Sequence, residues 1–237
     1  MWVAFRLVEL IFAIQRVHWG EFAPALDVVA DFYGYVHMLD TTFLYKWREG
    51  KLAGKKGTVK RLVAGGVETE AGETIGADLI ICANGFSKTY EYLPSEVRAA
   101  LGVEKDGLYL YRHCIPAQFR DLSIAFCGSE VATISNIMTH GLHAEYICRM
   151  LTGRMELPSR DDMSSSVANM KAWKRSWMPE TSSRASLVLL HQIHYHDQLL
   201  MDMGEQPGRK GFLSELFCPY AAGDYDNIIA KVSKEST

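Results

Sequence analysis

Two short apolar runs, each ending in a glycine, constrain this chain more than any other feature. One reads Asp78-Leu-Ile-Ile-Cys-Ala83 and passes into Asn84-Gly85-Phe86; the other reads Leu122-Ser-Ile-Ala-Phe-Cys127 and passes into Gly128-Ser129. Runs of this length, bounded by turn residues, predict strands covered on both faces. In open α/β sheets ligands bind beyond the carboxyl ends of strands, where glycine lets the backbone approach them closely. Gly85 and Gly128 read equally as plain tight turns, and their residue types alone do not choose between the two. A helix is predicted over about Thr139–Leu151, with Gly153 as its stop. Its start at Thr139-His140 would offer free N–H donors and a positive dipole end to an anionic ligand atom.

The surroundings of these runs are mixed. Gly57–Val63 predicts a strand, and Val67–Glu70, Ala71-Gly72 and Glu73–Ile75 a hairpin. Val8–Ile14 reads either as a buried parallel strand or as part of a helix. Glu21–Lys51, rich in aromatic residues, reads as helix packed on a core. Beyond Leu157-Pro158 a helical stretch reaches about Trp177, where Met178-Pro179 breaks it. Ser186–Met203 is the longest helical pattern and closes at Gly204.

Composition removes several classes. With 237 residues, 48% hydrophobic and 22% charged, the chain is neither disordered nor fibrous; 19 Gly and 7 Pro exclude a collagen-like repeat. A net charge of −3 argues against a dedicated nucleic-acid binder. Met1–Trp19 carries Arg6, Glu9, Gln15 and Arg16, which oppose a membrane-spanning helix and a signal peptide. Five widely spaced cysteines without a C-x-x-C fit buried reduced thiols, and with them a cytoplasmic location.

Familiar catalytic signatures are missing. No two glycines lie two apart, so there is no G-x-G-x-x-G loop, and Gly50–Lys56 has the wrong spacing for a phosphate-binding P-loop. His191, His194 and His196 lie together in sequence, but helical spacing does not converge them on a metal, and they read as satisfied or surface histidines. Gly128-Ser129 lacks the frame of a nucleophile elbow.

Taken together, these residues resemble the C-terminal half of the flavin-containing monooxygenases and their Baeyer–Villiger relatives. Ala77–Phe86 is similar to the family's strand ending in Ala-Thr-Gly-Tyr/Phe, with Asn84 in place of the usual Thr, and Gly66–Ile75 to the strands ahead of it. Leu110–Gly128, the following helix, Gly153-Arg154 and Leu157-Pro158 are similar to its closing stretch, and Val8–Trp19 to the second strand of its NADPH domain. The resemblance implies an α/β fold, part of a two-dinucleotide-binding-domain (FAD/NAD(P)) architecture with a mostly helical C-terminal tail. It implies a remnant of an NADPH-binding domain with a helical connection over 1–56, the C-terminal part of an FAD-binding domain over 57–157, and a helical extension over 158–237. The implied activity is FAD- and NADPH-dependent oxygenation of a small organic substrate, at nitrogen, sulfur or a carbonyl, through a flavin hydroperoxide. No side chain of this part is then required as acid or base, because the cofactor carries the chemistry. The implied cofactor-binding residues are Asn84, Gly85, Phe86, Gly128, Ser129, Thr139 and His140, with Arg16 toward the ribose 2′-phosphate.

Both glycine-rich loops of that family are absent. The alternatives are a non-catalytic remnant, or half of a split flavoprotein that acts through a partner chain, and a related disulfide-reductase-like flavoprotein. Strand edges left unpaired by such a division are expected to drive self-association.

Overall fold

The computed structural model describes residues 6, 9–10, 22–23, 27–34, 42–85, 88–119 and 123–229. Arg16, Phe86 and most of Val8–Ile14 lie outside the described residues. The chain divides into two compact units, Met1–Ser87 and Lys88–Thr237. This division falls inside the 57–157 segment expected from the sequence.

In the first unit, helices α1 (Val28–Gly34) and α2 (Thr42–Arg48) form within the aromatic-rich stretch, as its spacing predicts. Asp27 starts α1 by accepting the Ala30 N–H at 2.8 Å. Lys46 and Arg48 sit in the last turn of α2, where cations favour the helix dipole. The predicted strand and hairpin are both present: β1 (Val59–Val63), β2 (Gly66–Thr69) and β3 (Thr74–Gly76) form an antiparallel meander. Val63 faces Gly66 across a two-residue turn, and Val67 faces Ile75. Gly66 must be glycine, because a Cβ there would lie 2.0 Å from the Ile75 carbonyl oxygen.

The first apolar run departs from expectation. Among the described residues Leu79–Ala83 belongs to no strand, and Leu79 and Ile81 are 76% and 79% exposed. No described strand lies beside it to accept its backbone groups or cover its faces. The covered strand predicted from its composition is therefore not formed.

The second unit holds two hydrophobic clusters. The larger joins the 111–117 segment to helices α4 (Asn136–Leu151) and α6 (Gln192–Asp202) through Tyr111, Cys114, Ile115, Leu142, Tyr146, Leu199 and Leu200. The smaller gathers Tyr90, Leu108, Leu110 and Phe126 around Leu101 of helix α3 (Ser95–Leu101). The second apolar run is also not a ladder strand. Its residues 123–127 carry no strand, but Phe126 donates its N–H to the Cys114 carbonyl at 2.8 Å and is buried. This backbone hydrogen bond and the Phe126 ring help to hold it where a strand pairing was expected.

Helix α5 (Arg160–Trp177) follows its prediction. Ser159 caps it by accepting the Asp162 N–H, Asp161 and Asp162 fill the first turn, and it ends at Met178, extended before Pro179. The Ser186–Met203 pattern resolves into two elements. Leu187–Leu189 forms β5, parallel to β4 (Ala132–Thr133), and only then does α6 begin. Two features hold the β5 segment out of a helix: Lys174 Nζ donates to the carbonyls of Arg184, Ala185 and Leu187, and Leu189 takes a left-handed φ of 33°. Short helices α7 (Phe212–Phe217) and α8 (Asp226–Ile229) complete the unit. Among the described residues no helix is long and apolar enough to cross a membrane.

Candidate functional site

Gly128 sits at φ 75°, and a Cβ there would come within 2.7 Å of the His140 ring. Two residues singled out from the sequence are thus in direct contact, the bare glycine backbone lying against the imidazole. His140 Nε2 is buried and has no hydrogen-bond partner among the described residues. Helix α4 begins three residues earlier than the sequence suggests, at Asn136, because Thr139 donates its N–H to Ser135 inside the first turn. The open donors of this 16-residue helix therefore lie before Thr139. Ser135 provides no side-chain cap, and Ile137 in that turn is 91% exposed.

Around this contact run two buried hydrogen-bonded chains. In the first, the Gly128 N–H donates to His143 Nδ1 at 3.3 Å, His143 Nε2 meets the Tyr195 hydroxyl, and Tyr195 donates to the Arg112 carbonyl at 2.8 Å. This order makes His143 neutral, with its proton on Nε2. Burial agrees, holding its pKa down at about 4, with His140 and His196 adding to the effect. In the second, Thr139 Oγ1 donates to the Ser135 carbonyl and lies 2.8 Å from both Thr133 Oγ1 and His196 Nε2. His196 Nδ1 accepts from Tyr225 at 2.8 Å. Burial, with Arg209 nearby, likewise lowers the His196 pKa to about 4.

A third group centres on Asp202. It accepts the Arg112 guanidinium at 2.7 and 3.1 Å and the hydroxyls of Tyr111 and Tyr146. Arg112 and His113 adopt left-handed φ values of 48° and 53°, so this anchor holds an otherwise unfavourable backbone. Beside them lies a cavity of about 370 Å³, walled by α5, α6 and the chain at Leu110–His113.

The residues named from the sequence fall into three places. Gly128, Ser129, Thr139 and His140 come together in the second unit, with the Ser129 carbonyl accepting Lys88 Nζ at 3.0 Å. Asn84 and Gly85 lie in the first unit, Gly85 at φ 77° with open space where a Cβ would stand. Phe86 and Arg16 lie outside the described residues. The three neighbouring histidines take separate environments: His196 is bonded as above, His194 is exposed, and His191 packs edge-on to Trp173 at 5.1 Å. Sequence reasoning missed His143 and Tyr195, which the α4 and α6 patterns carry only as residues on a buried face.

With this geometry in place, comparison with known proteins is direct. A family described as flavin-binding monooxygenase-like matches residues 52–215, more than half of the chain, and the chain belongs to that family. It is 27% identical over 195 residues to the probable flavin-containing monooxygenase 1 of Arabidopsis thaliana, covering 79% of this chain and 35% of that protein. To the FAD-dependent monooxygenase DEP4 of Fusarium langsethiae it is 24% identical over 261 residues, covering 90% and 43%. The chain thus spans less than half the length of these relatives. The solved S-allyl-L-cysteine S-oxygenase of Allium sativum superposes with a TM-score of 0.47 at 18% identity, covering 75% of this chain and 42% of that one. Membership implies a flavin cofactor and sets the chain with the monooxygenases rather than the disulfide reductases.

Proposed function

We propose that this chain supplies the C-terminal part of an FAD-binding fold to an FAD- and NADPH-dependent monooxygenase, one that oxygenates a small organic substrate at nitrogen, sulfur or a carbonyl. The observation that carries the reading is the coincidence of the family match with the packing around Gly128. There the buried Gly128 backbone packs against the His140 ring, whose buried Nε2 has no hydrogen-bond partner among the described residues, and the start of α4 has no side-chain cap. An unmet ring nitrogen and uncapped helix donors fit the polar edge of a flavin, which takes hydrogen bonds and tolerates a helix dipole. Gly128 and His140 would hold that edge, with Ser129 flanking it and Thr139 fixing the helix start; Asn84, Gly85 and Phe86 are the remaining cofactor residues that the sequence suggests. Arg16 would meet the NADPH 2′-phosphate. The flavin supplies the oxygenating chemistry when bound. The protein's own part is positioning: His143 and Thr139 fix the backbone and helix start on which the donors sit.

Titration of the full chain with FAD tests this. The expected result is quenched flavin fluorescence and a raised Tm, both lost in Gly128→Ala; no change in either property would overturn it. A second reading, a chain that acts together with a complementary chain or associates with itself, is favoured by the exposed Leu79 and Ile81. It expects a colourless isolated protein that binds FAD only after the complementary chain is added.

A further inference from the structure

The cavity beside Arg112 is not used by that reading, and its walls have a definite chemistry. Its volume of about 370 Å³ falls within the range of small-molecule sites. Met170 and Val188 give it apolar walls, and Trp173, His191 and Tyr195 give it aromatic ones. Trp173 is 46% exposed, although its indole packs edge-on to both His191 and Trp177, at 5.1 and 5.2 Å. An aromatic platform held in place and left half uncovered at a cavity is arranged to receive another ring.

The charged wall residues are already spent. Arg112 commits Nε and Nη2 to Asp202 and Nη1 to Gln198. Lys174 directs its ammonium to three backbone carbonyls, and no carboxylate stands among the described lining residues. Arg112 and Lys174 thus leave no uncommitted side-chain nitrogen for an anion, and no described lining carboxylate serves a cation. The Gln198 amide, whose Oε1 takes Arg112 and whose Nε2 lies 3.5 Å from His194, keeps a second N–H at one end. The backbone supplies an independent sign. Of the four non-glycine residues with positive φ among those described, Arg112 and His113 line the cavity and Leu189 adjoins lining Val188. Strained residues of this kind gather at ligand sites.

We propose that this cavity binds an uncharged, planar aromatic small molecule, stacked on Trp173 with a polar group toward Gln198. The proposal stands whether or not the chain binds flavin, so failure of one does not decide the other.

Calorimetry on the full chain without added flavin tests it with three probes that share one ring system: 2-naphthamide, 2-naphthoate and 2-naphthylmethylamine. Saturable binding of the neutral amide is expected, with a dissociation constant at or below about 1 mM and at least about tenfold tighter than for either charged probe. Trp173→Ala, at a half-exposed position, is expected to weaken the amide about tenfold at unchanged Tm, and Trp173→Phe to restore most of the loss. Should Trp173→Ala lower the Tm, Met170→Trp, which fills the cavity, must abolish binding in its place. Equal affinity for all three probes, absence of amide binding, or amide binding unaffected by these substitutions would overturn the proposal.

Discussion

Replacing Gly128 with alanine separates two effects that usually arrive together. The position has φ 75°, so any L-residue there carries the left-handed backbone cost of about 1–2 kcal/mol. The new methyl would also stand 2.7 Å from His140 Cγ and Cδ2. Those atoms lie near the root of the side chain, so relief needs a shift of the ring or of α4, at about 1–3 kcal/mol for overpacking. Gly102 is the internal control. It closes α3 at φ 65° and has open space where its Cβ would go, so Gly102→Ala isolates the backbone part. Urea unfolding is expected to show Gly102→Ala less stable by about 1 kcal/mol, after the gain from a stiffer unfolded chain, and Gly128→Ala by about 2–4 kcal/mol. The Gly128→Ala/His140→Ala double variant should recover the steric part, with a coupling of about 1–3 kcal/mol in the cycle. Equal losses at the two glycines, or additivity in the cycle, would show that Gly128 and His140 do not meet as described.

Other expectations follow from the buried polar groups. Asp202→Ala strands the Arg112 guanidinium and two tyrosine hydroxyls and should cost about 3 kcal/mol in urea unfolding. Lys174→Met leaves three carbonyls without their donor and should cost about 2–4 kcal/mol by the same assay. His143 and His196 have folded pKa values near 4, below the ordinary histidine value of 6.5. The unfolded chain therefore binds more protons between these limits. Their contribution is complete above pH 6.5 and is lost as the pH falls toward 4, at roughly 3 kcal/mol per histidine. Urea midpoints at pH 7 and pH 5 test the sign, and equal midpoints would refute it.

Much of the helical structure was legible because its signals are local. Ser159 with two acidic residues after it, Pro179 after Met178, and Gly153 and Gly204 as stops all act within a turn or two of the chain. The hairpin turn at Ala71-Gly72 is legible for the same reason. What was not legible depends on distant partners. The exclusion of Leu187–Leu189 from the helix is settled by Lys174 and by Ala132–Thr133. His143 and Tyr195 meet across 52 residues of sequence, and no spacing rule announces that pairing. Of the candidate site, the glycine and the helix after it were readable. The hydrogen-bonded chains behind them depend on where α6 docks, and the cavity on where α5 docks as well.

The two apolar runs bear the same sequence signature and meet opposite fates, which gives a last test. Phe126 of the second run is 6% exposed and packs with Tyr90 and Leu110, so Phe126→Lys removes an aromatic anchor and buries a charge. Loss of cooperative folding is expected. Ile81 of the first run is 79% exposed, so Ile81→Lys gives up almost no burial within its unit and should change stability by no more than about 0.5 kcal/mol. If Leu79–Ile81 is where chains associate, the same substitution places a charge on the contact, and sedimentation should shift toward monomer. A stability loss above about 2 kcal/mol for Ile81→Lys would mean that the run is covered within the single chain. An unchanged sedimentation profile would remove it as the site of association. Apolar composition alone shows that a run needs a cover, and the contrast between these two substitutions tells whether that cover comes from the same chain.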